Sequence, residues 1–457
     1  MRRILTLIVC LLSVCAGSFA QDEVSGVYVG GHIRRERPNT ITKLRYSGFT
    51  YVILFNVHVD KDGTLMTDGE TIVKNGEYVF MNTQKYYQTD VRNLKTQPTS
   101  ISRIDICIGG WGNDSYTNIK NLVNKEGVGE NSILYRNFKA LKEALPEIDA
   151  VNNDIEQDYD VNTSAKFHIM MYKLGYKTTL APYTNKSYWT QLCSKIRAEY
   201  PDAVDRVMIQ CYDGGASNNP LDWNFTGVSN RHAGRTNYQT SMEKSIEQME
   251  KWYKSKAAVG GFVWVYNDET WDLNAWASAM NRTFKAVTTD EKDVVLRCYS
   301  ENNMGGYQVN FPEGKFSQAD LARYGLAAND LSSIELADGY RVKLYTGNKN
   351  TGTYRTFQAT QTKLPAGYND KICSITIEKI PTAIDGVATD GDLTVTLEQD
   401  AVVTNNAQGE ELYIYDITGK LVSSQPITDA SQSFSLSQLK GGNYIIRVAD
   451  KVVKVLK

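Results

Sequence analysis

The ten residues IDAVNNDIEQ at 148–157 carry the side chains best suited to chemistry. Side chains alternate faces along an extended strand, so Asn152, Asp154 and Glu156 share one face. Val151, Asn153 and Ile155 share the other. A row of Asn, Asp and Glu is costly as core, because buried carboxylates need partners. At the C-terminal end of a barrel strand the same row suits catalysis. Neighbouring like charges raise one carboxyl pKa toward neutrality, where that group can act as a general acid. The other reading of these residues is an exposed acidic loop after a helix.

Such a row needs elements that hold it. From 24 to 287, strand-like apolar runs fall at 26–30, 49–56, 104–109, 150–156, 178–183, 206–212 and 259–265. Helical patterns at 132–145, 187–199 and 238–256 lie between them. This alternation predicts a parallel sheet closed into an α/β barrel of the TIM-type (β/α)8 kind. An eighth strand belongs between 224 and 238, where no apolar run marks its position.

The pattern changes after Thr288. Residues 292–380 show short alternating strands, Gly and Asn turns, and little helix. YSENNMGG at 299–306 is echoed by YTGNKNTG at 345–352, and each half reaches a serine-containing stretch, NDLSS at 329–333 and NDKICS at 369–374. A repeat of this size predicts a duplicated Greek-key domain. Residues 385–457 are again all β and predict a sandwich, with turns at Asp390-Gly-Asp and Gly441-Gly-Asn443.

Composition bounds the function. A chain of 457 residues allows two to four domains. Its 50 basic and 52 acidic residues argue against nucleic acid as the main partner. Seven cysteines make no disulfide framework at this length, and His32, His58, His168 and His232, without any Cys-x-x-Cys, leave little for zinc. Residues 1–20 read as a secretory signal, with Arg2 and Arg3, an apolar run, and cleavage after Ala20. Val14 before Cys15 speaks against a lipoprotein signal. Cys107, Cys193, Cys211, Cys298 and Cys373 then remain, an odd number. No later apolar stretch is long enough to span a bilayer. The 28 tyrosines suit sugar-stacking surfaces and strands alike.

The acidic strand resembles the glycoside hydrolase family 18 signature, Asp-Gly-x-Asp-x-Asp-x-Glu, through Asp149, Asn152, Asp154 and Glu156. Ile106-Cys-Ile-Gly-Gly-Trp111 resembles the family's Ser-x-Gly-Gly strand, with Cys107 where Ser is usual. Tyr51-Val-Ile-Leu-Phe55, Gln210-Cys-Tyr-Asp213 and Gly260-Gly-Phe-Val-Trp264 resemble its second, sixth and last strands. Two positions depart: Ala150 replaces a Gly, and Asn153 stands where an apolar residue would face the helices.

The resemblance implies substrate-assisted, retaining cleavage of β-linked N-acetylglucosamine units, without a cofactor. It implies that Glu156 protonates the leaving oxygen and Asp154 orients the acetamide. Tyr212 would hold the acetamide oxygen, Asn152 would tune Asp154 by a hydrogen bond, and Trp264 would stack on the sugar. Gln210, Tyr183 and Asp213 would line the cleft. Gly109, Gly110 and Asp149 would be structural. The stretch from Tyr212 to Trp264 leaves no room for a sizeable inserted domain. An open cleft of that kind suits chitin-like polymers, peptidoglycan-related glycans or the chitobiose core of N-glycans. A non-hydrolysing glycan-binding barrel is the alternative of a different class.

Residues 292–380 resemble a βγ-crystallin domain, which implies calcium bound through Asn329, Ser332, Asn369 and Asp370. Ala328 at the first position of one motif and Cys373 at the fifth of the other weaken that expectation, because neither side chain suits a hard cation. A calcium-stabilised structural protein of the cell surface is a third reading. Residues 385–457 resemble the sorting domain of type IX secretion through Leu412-Tyr-Ile-Tyr-Asp-Ile-Thr-Gly-Lys420, Leu439-Lys-Gly-Gly-Asn-Tyr444 and Val452-Val-Lys-Val-Leu-Lys457. That resemblance implies the secretion machinery as a partner and a secreted or cell-surface location. An ordinary spacer sandwich is the other reading.

Overall fold

Eight parallel strands close into a barrel: β1 (Ser25–Val29), β2 (Tyr51–Val59), β3 (Arg103–Gly109), β4 (Ala150–Asp154), β5 (Lys177–Leu180), β6 (Val204–Gln210), β7 (Arg231–Thr236) and β8 (Gly260–Tyr266). β1 pairs with both β2 and β8, which completes the ring. The computed structural model describes residues 23–267, 270–380, 393–398, 400–449 and 451–457. The signal at 1–20 with its cleavage after Ala20, the domain start at 385 and the turn at Asp390 lie outside the described residues.

Helices surround the ring, among them α1 (Ser115–Glu126), α2 (Ile133–Ala144), α3 (Val161–Lys173), α4 (Lys186–Glu199), α5 (Met242–Lys254) and α6 (Leu273–Phe284). Their apolar faces and the outward strand residues form one core, including Leu134, Phe138, Phe167, Trp189 and Met280. Full burial of each such side chain stabilises the fold by about 1.5–3 kcal/mol. Tyr28, Tyr51, Ile53, Cys107, Met208 and Phe262 fill the interior as a separate cluster. The long strand β2 also carries a hairpin extension, Leu65–Thr67, Glu70–Lys74 and Glu77–Tyr78, that the sequence reading did not foresee.

The eighth strand lies inside its expected window, as β7. Its sequence RHAGRT hides it, because neighbours occupy the space its side chains would fill. A Cβ on Gly234 would meet the Phe262 ring at 2.2 Å and the Tyr212 ring at 2.8 Å. Helical punctuation is also missing before it. Among the described residues, β6 and β7 are joined only by the short 3-10 turns Asp213–Gly215 and Pro220–Asp222.

The outward Asn153 is explained by a closed polar network. Its amide is 2.8 Å from His168 Nε2, and its oxygen accepts from the Ile155 N–H at 3.0 Å. His168 Nδ1 lies 3.1 Å from the Thr178 hydroxyl. Burial lowers the His168 pKa to about 3, so the ring is neutral and bridges without an uncompensated charge. Satisfied hydrogen bonds of this kind contribute about 1 kcal/mol each.

Residues 296–379 form two antiparallel sheets that exchange strands. One contains Leu296–Tyr299, Gln308–Phe311 and Ser333–Leu336; the other contains Gly314–Phe316, Tyr340–Tyr345, Tyr354–Phe357 and Ser374–Lys379. The first half thus lends Gly314–Phe316 to the second sheet, and the second half returns a bridge from Gln361 to Ile334. The repeat is visible in matched serine clamps. Ser333 Oγ donates to the Glu301 carbonyl and accepts from Met304 N–H; Ser374 Oγ donates to the Gly347 carbonyl and accepts from Asn350 N–H. A helix at Gln318–Tyr324, closed by a Ser317–Asp320 capping box, was not expected in a region read as nearly helix-free.

This helix packs on α6 of the barrel. Asn281 donates to the carbonyls of Gly48 (2.8 Å) and Ala322 (2.9 Å), and the Arg282 guanidinium lies 3.5 Å over the Tyr307 ring. The chain divides by its contacts into a unit ending at Glu378 and another beginning at Lys379. In the second unit, Thr394–Glu398, Ala401–Asn405 and Ser431–Ser435 form one sheet. Glu411–Asp416, Leu421–Pro426, Asn443–Val448 and Lys451–Leu456 form the other. Val402, Leu412, Phe434, Ile446 and Val455 make its core.

Candidate active site

A cleft of about 610 Å³ opens at the C-terminal ends of the barrel strands, lined by Phe55, Gly110, Trp111, Asp154, Glu156, Tyr183, Gln210, Tyr212, Asp213, Gly214 and Trp264. Both acids of the predicted row therefore reach one cavity. Asp154 ends β4, and Glu156 stands two residues beyond it rather than on the strand. The alternative of an exposed acidic loop does not hold: Asp154 is 6% exposed and Glu156 is half-buried.

Two glycines let β3 meet β4 this closely. Gly109 and Gly110 have φ of +111° and +104°, a region that favours glycine. A Cβ on Gly109 would lie 2.2 Å from the Asp154 carbonyl oxygen. Gly110 N–H donates to that oxygen at 2.7 Å.

Burial pushes the Asp154 carboxyl up to about 8, and the nearby Glu156 charge adds to the rise. Opposing it, Gln210 Nε2 donates to Asp154 Oδ1 at 2.8 Å, and the Cys107 thiol lies 3.9 Å from Oδ2. Burial also raises Glu156, and the Tyr183 hydroxyl partly offsets that shift. The larger rise thus falls on Asp154, with burial as its main cause and like charge second.

This predicts a pH-dependent stability. The unfolded chain loses the Asp154 proton near pH 4, whereas the folded chain keeps it to about pH 8. Over that window the native state binds more protons, so its stability falls as pH rises. Asp154→Asn has no such proton to lose. Its melting temperature, relative to the parent, should climb from pH 5 to pH 9 by calorimetry. A constant difference across that range would mean that the carboxyl is already ionised at pH 5.

Asn152 does not tune Asp154 directly. Its oxygen accepts from the Tyr28 hydroxyl at 3.0 Å, and its amide lies 3.4 Å from the Met208 sulfur. Among the described residues no hydrogen bond joins it to Asp154. The reason is direction: Asn152 points into the packed barrel interior, one layer below the cleft. Gln210, expected to contact a ligand, is the residue that bonds Asp154, and its Nε2 also donates to the Ala181 carbonyl at 2.9 Å. Tyr212 is buried edge-on against Phe262, with burial and then the Asp154 charge holding its phenol protonated. Trp264 meets Phe55 edge-on at 4.7 Å. Asp213 stands on the rim, accepting from Tyr238 at 2.8 Å and Gln239 at 2.5 Å. Asp149 lies at the other end of β4, paired with Lys95 at 2.8 Å and accepting the Ile104 N–H at 2.8 Å.

Three cleft residues, Phe55, Trp111 and Gly214, received no role from the sequence. Trp111 is 91% exposed, and Phe55 lies behind Gly110. An exposed Trp directly after a Gly-Gly strand end was the available signal.

The calcium expectation divides between the two halves. Asn329 Oδ1 accepts from the Cys373 thiol at 3.3 Å, and Ala328 offers no side-chain oxygen, so that side does not fit a hard cation. On the other side Ser332 Oγ is 3.0 Å from Asp370 Oδ1, and the buried Oδ1 of Asn369 has no hydrogen-bond partner. Among the described residues, no group of three or more His, Cys, Asp or Glu is placed to hold a metal. None of their helices is long and apolar enough to cross a membrane. Cys107, Cys193, Cys211, Cys298 and Cys373 are all free thiols.

Comparison with known proteins bears on the C-terminal parts. A βγ-crystallin domain from Flavobacterium johnsoniae is 26% identical, covering 19% of this chain and 98% of that one, with a TM-score of 0.19. A βγ-crystallin domain from Clostridium beijerinckii is 24% identical, covering 18% and 95%, with a TM-score of 0.18. The N-terminal domain of Protein S is 25% identical, covering 19% and 98%, with a TM-score of 0.19. At these scores the architecture of 296–379 stands on its own sheets and serine clamps. A search of curated proteins finds no match. The family model described as the secretion system C-terminal sorting domain matches residues 389–457. This is a type IX sorting tail, and it supports export to the cell surface or the medium with the secretion machinery as a partner.

Proposed function

We propose that the barrel is a glycoside hydrolase of the family 18 type, acting on β-linked N-acetylglucosamine units of a glycan or glycoprotein. One observation carries this reading: Asp154 and Glu156 open together on a single cleft walled by Phe55, Trp111, Tyr183, Tyr212 and Trp264. Aromatic faces suit the apolar faces of sugar rings. Two coupled carboxyls, both with raised pKa, supply an acid and a charge stabiliser at neutral pH.

In the proposed reaction the acetamide N–H donates to Asp154, which leaves the pair's proton on Glu156. Glu156 passes it to the glycosidic oxygen as the C1–O bond breaks. The acetamide oxygen forms the new bond to C1, and ionised Asp154 stabilises the oxazolinium cation. Water then opens the ring and returns a proton to Glu156, so configuration is retained. The Tyr212 phenol, kept protonated, is the donor for the acetamide oxygen. This chemistry calls for no cofactor.

The test is incubation of the purified protein with chitooligosaccharides and with a high-mannose glycoprotein, with products read by mass spectrometry. Cleavage of either supports the reading. Binding without cleavage would favour a glycan-binding barrel, and neither binding nor cleavage would remove both.

Calcium in this proposal is confined to Asn369, Asp370 and Ser332, and is weak because one carboxylate serves the site. Millimolar Ca²⁺ should raise the melting temperature, and Asp370→Ala should abolish the rise. An equal rise in both proteins would rule this site out.

A further inference from the structure

The donors that flank the two carboxyls come from neighbouring strand ends. Gln210 closes β6 and reaches Asp154. Tyr183 follows β5 and acts on Glu156. The β5–β6 ladder pairs Thr178 with Val204, Thr179 with Arg206 and Leu180 with Val207. Above it, the strand ends separate toward the cleft. Gln210 N–H still reaches the Pro182 carbonyl at 2.9 Å. Two side chains also join the ends: Gln210 Nε2 donates to the Ala181 carbonyl at 2.9 Å, and nearer the turn Asn218 Nδ2 donates to the Tyr183 carbonyl at 2.8 Å and to the Gln210 carbonyl at 2.9 Å.

The turn is shaped to deliver this amide. Gly215 N–H bonds the Tyr212 carbonyl at 2.8 Å, and Asn218 N–H bonds the Gly215 carbonyl at 2.9 Å. A Cβ on Gly215 would lie 2.3 Å from the Gln210 oxygen and 2.8 Å from Asn218 Nδ2. Only glycine leaves space for the amide between both carbonyls. Asn218 does not line the cleft, and its amide is spent on the two backbone carbonyls.

We propose that Asn218 is a positioning residue for the site: its single amide clamps the segments bearing Gln210 and Tyr183, and so sets the donor that each of Asp154 and Glu156 receives. This rests on the role given to that pair above. Both N–H groups of one primary amide are used, which fixes its plane and the spacing of the two strand ends. A merely turn-forming Asn would hold its own loop and leave the carboxyls untouched.

The experiment compares the full chain with Asn218→Leu, similar in size but without donors, and with Gln210→Met. The Asp154 carboxyl is titrated by ¹³C NMR or difference infrared spectroscopy, which needs no substrate, and kcat and KM are measured on a chitooligosaccharide. In Asn218→Leu the Asp154 midpoint should rise by about one pH unit, because its best donor is displaced. kcat should fall about tenfold with KM changed less than about twofold. Gln210→Met should move the midpoint the same way and calibrates loss of that donor, while Asn218→Ala, which removes the amide without adding bulk, should reproduce the Asn218→Leu shift and keeps the test open if that variant does not fold. A midpoint and kcat equal to the parent's, with only a lower melting temperature, would overturn the proposal. A parent protein that cleaves no glycan, while the midpoint still moves, would leave the clamp standing and refute the glycosidase reading.

Discussion

Glu156→Gln should lower kcat on a cleaved glycan by about 10³-fold, roughly 4 kcal/mol of transition-state stabilisation, while leaving affinity within a few-fold. The amide keeps the shape and the hydrogen-bonding reach of the acid, so the cleft walls are undisturbed. What it lacks is a transferable proton. Glu156 is half-buried and its carboxyl is raised by that burial, with only the Tyr183 hydroxyl opposing the shift. Burial favours the protonated form of both carboxyls, and in the proposed reaction the acetamide N–H bonded to Asp154 is what leaves the shared proton on Glu156. The measurement is steady-state hydrolysis beside ligand binding by calorimetry. A variant that cleaves like the parent would move the acid role to another residue. A variant whose binding collapses together with its turnover would mean that Glu156 holds the sugar rather than protonating it.

Gly109→Ala should cost about 3 kcal/mol and on the order of 5 °C in melting temperature. Two penalties coincide there. The backbone is at φ +111°, where an L side chain is strained, and the new Cβ would lie 2.2 Å from the Asp154 carbonyl oxygen and 2.6 Å from its carbon. Gly109 is also the ladder partner of Asp154, so relief of the contact must push β4 away from β3. The Asp154 carboxyl would move with its backbone, and activity should fall further than stability alone explains. Thermal melts and kcat of the same sample check both parts. Gly112→Ala is the contrast, since its Cβ would meet nothing within 4 Å although its φ is also positive, at +72°. It should therefore show backbone strain only. Equal losses in the two variants would refute the steric account.

Much of this was legible in residue order. Strand runs, helix patterns and the 46-residue echo of Tyr299 in Tyr345 placed the barrel and the repeat, because burial forces apolar periodicity wherever a face is hidden. Strand β7 escaped because its neighbours' aromatic rings, and not its own side chains, fill the barrel at Gly234. The helix at Gln318–Tyr324 escaped because it is short and its apolar face is spent on α6. The partners of the acids were beyond reach for a different reason. Asn152 and Gln210 are both amides on inward strand faces, and nothing in composition says which one is level with Asp154.

The sequence by itself determined which residue types could meet: one strand with a carboxyl row, glycines where β3 ends, aromatic strand ends, and a C-terminal sorting tail. The first three follow from local preferences and periodicity, which act over a few residues, and the tail from the resemblance of its motifs to a known sorting domain. Only the tertiary structure decided which donor each carboxyl receives. It turned Asn152 toward Tyr28, put Gln210 on Asp154, and tied β5 to β6 through Asn218. It also decided that the larger pKa rise falls on Asp154, because desolvation depends on how many neighbouring chains close over a group. Hydrogen bonds and burial at that range depend on strand stagger and side-chain layer, and both are set when the barrel closes.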